Sequence, residues 1–282
     1  MSKRFSVVDF KKSKGENSKI SILTAYDRFT ARVVEDGGAD VILVGDSLGM
    51  MVLGYEDTLS VTMEDMIRHT RAVAKTAQKV MIIADMPFLS YQVTVADAVR
   101  NAGRLVVDGG CGAVKLEGGI EYCEQVKAIV QAGIPVMGHL GFTPQSINNF
   151  GGNFAQGKTG ASAFKIMSDA LALEEAGAFA IVLECVPNEL AEIVTKKLKV
   201  PTIGIGSGAG CDGQVLVIYD ILGLNDGFVA KHFKSYVEGQ KIMTDAVKEY
   251  VQEVKNLNFP TTANSFTVSS QIVDLVKKEF KV

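Results

Sequence analysis

Val41-Ile42-Leu43-Val44-Gly45-Asp46-Ser47-Leu48-Gly49-Met50 is the stretch whose reading decides the fold. Four aliphatic residues in a row, closed by glycine, read as a strand buried on both faces, as in a parallel sheet. The run ends in a carboxylate and a hydroxyl. Buried without a partner, that carboxylate would be costly. It is therefore expected to face a cleft and to meet a cation or a donor there.

The same device recurs along the chain. Apolar strands are predicted at 20–27, 41–46, 80–87, 113–118, 135–139, 180–185, 202–207 and 215–219. Helical spacing fills the intervals: 29–36, 62–77, 94–108, 120–132, 161–176, 189–199 and segments of 230–256. Thr62 and Thr94 supply hydroxyl N-caps, and the glycines at 37, 109, 133 and 177 supply stops. Eight strands alternating with helices, with no linker, specify an α/β chain with one parallel (β/α)8 TIM barrel better than an open doubly wound sheet. One domain is expected over 1–282, with an N-terminal helix within 1–19 and a helical C-terminal tail at 267–282. Gly204-Ile205-Gly206-Ser207-Gly208-Ala209 superficially matches a dinucleotide fingerprint. A strand follows it rather than a helix, so no helix N-terminus is there to hold a pyrophosphate.

Composition excludes several classes. The 282 residues are 47% hydrophobic and 22% charged, with net charge −3. That suits a globular chain with a sizeable core and shows no basic stripe for nucleic acid. There is no apolar run near 20 residues for a membrane span, and Met1-Ser2-Lys3-Arg4-Phe5 has no signal-peptide core. Cys111, Cys123, Cys185 and Cys211 lack C-x-x-C spacing and read as reduced, structural cysteines of a cytoplasmic protein. His69, in the helix predicted from 62, has no evident partner and reads as a helix-surface residue. The glycine-rich segment at 148–160 reads as a lid or as a plain surface loop.

In a (β/α)8 barrel the C-terminal strand ends face one cleft. Here they carry Tyr26 and Asp27, Asp46 and Ser47, Asp85, Lys115 and Glu117, His139, Glu184, and Ser207. Any one carboxylate also fits a helix cap or an ion pair; the set points to a site. Lys115 and Glu117, two apart on a strand, share a face. Several carboxylates in one pocket share protons or bind a cation. With hard oxygen ligands and no zinc spacing, Mg2+ is the first choice. Open metal positions suit a 2-oxo acid, whose polarised keto group acidifies the adjacent C–H. Lys115 would neutralise the substrate carboxylate, and one acid would act as general base. The residues thus point to metal-assisted enolisation of a small oxo acid, followed by carbon–carbon chemistry.

Longer motifs carry a resemblance. Leu23-Thr24-Ala25-Tyr26-Asp27, Val44 to Met50, Ala84-Asp85-Met86-Pro87-Phe88, Val114-Lys115-Leu116-Glu117-Gly118, Gly138-His139-Leu140-Gly141-Phe142-Thr143-Pro144-Gln145 and Leu183-Glu184-Cys185-Val186-Pro187 together resemble the ketopantoate hydroxymethyltransferase family, over roughly 5–266. The resemblance implies a Mg2+-dependent barrel enzyme of pantothenate biosynthesis. It would transfer a one-carbon unit from 5,10-methylenetetrahydrofolate to 3-methyl-2-oxobutanoate, giving 2-dehydropantoate and tetrahydrofolate. By the same resemblance Asp46, Asp85 and Glu117 match the metal-site acids. Asp46, Ser47, Asp85 and Lys115 match oxo-acid positions, Glu184 matches the proton acceptor, and His139 matches a pocket histidine, expected as a neutral hydrogen-bond donor. Large cytoplasmic homo-oligomers, commonly decamers, are implied as well. One departure is Asn264 before Ser265-Phe266, where the family usually has histidine; the tail past 266 is an extension with helix-spaced Ile272, Val273, Leu275, Val276 and Phe280, fit to pack on the barrel, on a neighbouring subunit or on nothing. The main alternative is a Mg2+-dependent lyase or mutase of the phosphoenolpyruvate mutase and isocitrate lyase group. The Lys-Arg-Cys-Gly-type loop of those lyases is missing from the sequence. A non-catalytic barrel would be expected to have lost site residues, and none is lost.

Overall fold

The computed structural model describes residues 4–16, 18–150, 155–225, 231 and 233–282. Eight strands close into a barrel in chain order: β1 Ile20–Thr24, β2 Val41–Val44, β3 Met81–Asp85, β4 Ala113–Glu117, β5 Val136–Gly141, β6 Ala180–Glu184, β7 Thr202–Ile205 and β8 Gly213–Leu216. Every neighbouring pair is parallel, and β8 returns to β1 with Ile20 opposite Gly213. The predicted (β/α)8 architecture is therefore present.

The apolar runs explain the layering. Alternate residues point to opposite faces of a strand. Ile20, Ile22, Val41, Leu43, Met81, Ile83, Ala113, Met137, Val182 and Ile203 pack together inside the barrel. Ile42, Val44, Ile82, Ala84, Val114, Leu116, Ile181 and Leu183 point outward and pack with helix residues such as Val34, Met66, Ala102, Ile129, Leu173 and Val194. Continuing the inward parity to the C-terminal strand ends gives Asp85, Lys115, Glu117, His139 and Glu184. The alternation that fills the core below thus aims five polar side chains into the mouth above.

Strand ends shift by one to three residues from the sequence reading, with consequences at β1, β7 and β8. β1 stops at Thr24 because Asp27 is taken by a helix: its Oδ1 accepts from Thr30 N at 2.8 Å and caps Arg28–Asp36. β7 stops at Ile205. β8 starts two residues early, at Gly213, and ends at Leu216. Only glycine suits position 213, where a Cβ would lie 2.5 Å from Ile20 O. The following residues, predicted as strand, turn into the short helix Ile218–Ile221, whose first N–H donates to Thr24 Oγ1 at 3.0 Å.

The N-terminal end of the barrel is plugged by the helix Val7–Gly15. Phe10, wholly buried, meets Phe5 and Phe179 edge-on with centroids at 5.5 and 5.0 Å. At the other end of the chain, the helices Gly239–Lys255 and Ser270–Phe280 bury no residue. Ile242, Val247, Tyr250, Ile272, Leu275 and Phe280 are all exposed, so the tail does not pack on its own barrel. Among the described residues no helix is long and apolar enough to cross a membrane.

Phe10→Ala should remove the plug without touching the mouth. The expected loss is about 3–5 kcal/mol of unfolding free energy in urea titration, and a loss below about 1 kcal/mol would show that Phe10 does not seal the barrel.

Candidate active site

Register brings the mouth residues together. Asp85 stands opposite Lys115, Glu117 opposite His139, and Gly141 opposite Glu184. Lys115 Nζ lies 3.0 Å from Asp85 Oδ1, with both side chains almost wholly buried, at 5% and 4% exposure. Asp85 Oδ2 accepts the Asp46 N–H at 3.1 Å, which ties the end of β2 to β3. His139 lies between two acids: Nδ1 is 3.4 Å from Glu117 Oε1, and Nε2 is 3.2 Å from Glu184 Oε2. Lys115 Nζ is also 3.4 Å from His139 Nδ1. Ser47 meets the hydroxyl of Tyr26 at 2.8 Å. Asp46, Ser47, Asp85, Lys115, Glu117, His139 and Glu184 thus gather at one end of the barrel. Asp27 and Ser207 do not join them. Asp27 is a helix cap, and the Ser207 hydroxyl is bonded to backbone.

Residues that sequence reasoning missed complete the network. Gln145, buried in the connection after β5, donates its side-chain amide to Asp46 Oδ2 at 2.8 Å and its backbone N–H to Glu117 Oε2 at 2.9 Å. Its Oε1 accepts from Tyr91 OH at 2.9 Å and Gln92 Nε2 at 3.2 Å. Tyr91 OH also accepts the Glu117 N–H at 3.1 Å. Gln145 and Asp46 are 99 residues apart, and no spacing rule links them. The one sequence signal for Gln145 is that it closes the run Gly138-His139-Leu140-Gly141-Phe142-Thr143-Pro144-Gln145. His69 differs from its reading as a partnerless surface residue: Nδ1–H donates to Tyr26 O at 2.5 Å and so steadies the end of β1.

The charges compete. Burial pushes the Asp46 carboxyl well above its usual range, and the Asp85 and Glu117 carboxylates push it further. Burial also raises Asp85, against the pull of the Lys115 ammonium. Burial works against the charged form of Lys115, but the carboxylates of Asp85, Glu117 and Asp46 outweigh it and hold the ammonium charged. Burial and Lys115 push the His139 imidazole down; Glu117 and Glu184 prevail and take it up to about 9. At neutral pH His139 is therefore protonated, a correction to the neutral donor expected from sequence. Burial also raises the Tyr26 phenol, which stays neutral and hydrogen-bonding.

This donor set fits a divalent cation. Among the described residues, the cations paired with Asp85, Glu117 and Glu184 are Lys115 and His139, and Asp85 Oδ1 makes no hydrogen bond of good geometry. Hard oxygens in excess of positive charge suit Mg2+. Among the described residues, however, no three His, Cys, Asp or Glu side chains form a ready cage. Glu117 is turned to Gln145 and His139.

The remaining expectations fall outside this cluster. All four cysteines are free, and burial takes the thiols of Cys111 and Cys185 up to about 12 and about 11. Asn264 is exposed and caps its own turn, accepting from Thr261 Oγ1 at 2.8 Å. The lid reading covers 148–160, of which 151–154 lie outside the described residues.

Comparison with known proteins adds the family. The ketopantoate hydroxymethyltransferase family pattern matches residues 4–262. A 3-methyl-2-oxobutanoate hydroxymethyltransferase of Acetivibrio thermocellus is 58% identical over 278 residues, 99% of this chain and 98% of the relative. One from Enterococcus faecalis is 53% identical over 269 residues, covering 95% and 98%. Among solved structures, a phosphonopyruvate hydrolase with oxalate and Mg2+ superposes with a TM-score of 0.61 at 13% identity, covering 100% and 97%. A 2,3-dimethylmalate lyase of the PEP mutase/isocitrate lyase superfamily gives 0.59 at 16%, covering 98% and 93%. At such identities these two establish the shared barrel fold alone.

Asp46→Asn keeps an acceptor for Gln145 and removes one buried like charge. Because the folded Asp46 carboxyl is raised, its stabilising proton is lost as pH climbs from about 4 through the raised value. The variant should thus match the wild type at low pH and exceed it at pH 8 in EDTA, by roughly 2–4 °C in melting temperature. Added Mg2+ should raise the wild type more than the variant. A variant that melts below the wild type at pH 8 in EDTA would contradict like-charge strain at this mouth.

Proposed function

Because the chain belongs to the ketopantoate hydroxymethyltransferase family, we propose that it forms 2-dehydropantoate and tetrahydrofolate from 3-methyl-2-oxobutanoate and 5,10-methylenetetrahydrofolate, a step of pantothenate biosynthesis. The observation that carries the reading is the inward face shared by Asp85, Lys115, Glu117, His139 and Glu184, closed by Asp46 and Ser47. Asp46, Asp85 and Glu117 are the residues that would hold Mg2+. When bound, Mg2+ offsets their charge and polarises the keto oxygen of the substrate.

The chain's own groups do the rest. Lys115, kept charged by its acids, faces the substrate carboxylate. The Ser47 hydroxyl, oriented by Tyr26 OH at 2.8 Å, hydrogen-bonds to the oxo acid. Glu184, at 18% side-chain exposure, is the most accessible carboxylate of the cluster and is not needed for the metal. It takes the C3 proton as general base. The C3 electron pair then bonds to the methylene carbon of the folate iminium. Water later replaces the folate nitrogen on that carbon, its OH giving the hydroxymethyl group and its proton going to the nitrogen. His139, protonated and 3.2 Å from Glu184 Oε2, fixes the direction of the base.

The working form is proposed as a cytoplasmic homodecamer that binds neither nucleic acid nor membrane. The exposed apolar faces of Gly239–Lys255 and Ser270–Phe280 support assembly with other copies. The alternative, a lyase or mutase on another small 2-oxo acid, has the shared barrel in its favour but lacks the Lys-Arg-Cys-Gly run.

Glu184→Gln should slow deuterium exchange at C3 of 3-methyl-2-oxobutanoate by about 10²–10⁴-fold while Mg2+ binding is spared. Exchange at the wild-type rate would remove Glu184 from the role of base. Asp85→Ala should weaken Mg2+ and oxo-acid binding together in calorimetry; an unchanged oxo-acid affinity in saturating Mg2+ would contradict joint binding.

A further inference from the structure

We infer that Ser207 and Gly141 are positioning residues that set the aim of the Glu184 carboxylate, without touching the substrate. The inference rests on Glu184 acting as the base.

Glu184 ends β6, and the chain turns sharply after it. Cys185 lies in the left-handed region, at φ +51°, where a residue with a Cβ is uncommon and costs conformational energy. Such a turn persists only where its surroundings hold it. Here the backbone on both sides of the base is pinned. Phe142 N donates to Glu184 O at 2.8 Å, from the β5 side. Cys185 N donates to Ile205 O at 2.9 Å, on the β7 side. Val186 N donates to Ser207 Oγ at 3.0 Å, and Ser207 Oγ donates to Leu183 O at 2.8 Å. One buried hydroxyl thus spans the residue before Glu184 and the second residue after it.

The proton and one lone pair of Ser207 go to backbone, and complete burial keeps its second lone pair from a ligand. A hydroxyl has one proton, and here it goes to backbone carbonyl oxygen, with Leu183 O nearest and Ile205 O at 3.4 Å. A lone pair takes the Val186 N–H. Ser207 has no exposed surface. Its place, two residues past the end of β7, is a scaffolding place.

Gly141 does the same from β5. It stands opposite Glu184 in register, at φ +94°, and a Cβ there would come 2.2 Å from Glu184 O and 2.7 Å from Val186 Cγ2. Only a bare backbone allows the approach that lets Phe142 N reach Glu184 O. With its backbone held from β5 and β7, Glu184 keeps its side chain directed at the cluster, 3.2 Å from His139 Nε2.

The test uses the full-length protein with Mg2+ and 3-methyl-2-oxobutanoate. C3 deuterium exchange, oxo-acid affinity and melting temperature are measured for Ser207→Ala, Ser207→Cys and Glu184→Gln. Ser207→Ala should lower the exchange rate at least tenfold while oxo-acid affinity stays within twofold, because the oxo-acid residues are not pinned by Ser207. Ser207→Cys, a weaker donor and acceptor, should fall between wild type and Ser207→Ala. Exchange within twofold of wild type in Ser207→Ala overturns the inference, as does a parallel fall of exchange and affinity. If Ser207→Ala does not fold, Ser207→Cys decides alone: reduced exchange with intact affinity upholds the inference, and wild-type exchange overturns it. The Glu184→Gln arm separates the two claims. A wild-type rate there sinks the base itself, whereas a slow Glu184→Gln beside a normal Ser207→Ala sinks only the positioning role.

Discussion

Crowding of like charge at the barrel mouth is the constraint on which the rest depends. Asp46, Asp85 and Glu117 are each at most 5% exposed. Lys115 is the buried ammonium among them, 3.0 Å from Asp85. A buried ion pair recovers little more than its own desolvation, and further carboxylates beside it add repulsion. Stability has to come from elsewhere. It comes from the apolar layers below, from Phe10 and its two aromatic neighbours up through Ile83, Met137 and Val182. The barrel is thus divided along its axis into an end that stabilises and an end under electrostatic strain.

That strain organises the polar neighbours. Gln145 gives one N–H to Asp46 and another to Glu117, and Tyr91 fixes the far end of the same amide. His139 keeps its proton because two carboxylates outweigh burial and Lys115. These are the responses of a site short of positive charge. A divalent cation and an anionic oxo acid, brought in together, would complete it on the proposed reaction. Glu184 stands at the more open margin, where the proposed reaction uses its carboxylate as the base.

Much of this could be read in advance, and the reason is periodicity. Each strand is a short apolar run, and the two-residue alternation shows which residues share a face. Lys115 and Glu117 were placed on one face by that rule alone, and Asp85, His139 and Glu184 by standing at strand ends. Tyr91, Gln145 and the His69 bond to Tyr26 O were not legible. Each depends on which loop side chain reaches across the mouth. Loop paths have no period, so nothing in the local sequence encodes those distances. Asp27 misled for a related reason: a carboxylate just past a strand serves a cleft or a helix N-terminus equally well, and Thr30 N decided it.

The sequence by itself determined the order of elements, the eight-stranded parallel class, and the residue types at the strand ends. Those follow from hydrophobic pattern and strand parity, which are local properties. Tertiary structure alone decided three things. It set the pairing of Asp85 with Lys115 and of Glu117 with His139, through the register between strands. It made His139 a cation, because protonation answers to every charge within reach and not to neighbours in the chain. It turned Ser207 away from the cleft and onto the backbone around Glu184. Each of these is an interaction between residues remote in sequence, and only the closed barrel makes them neighbours.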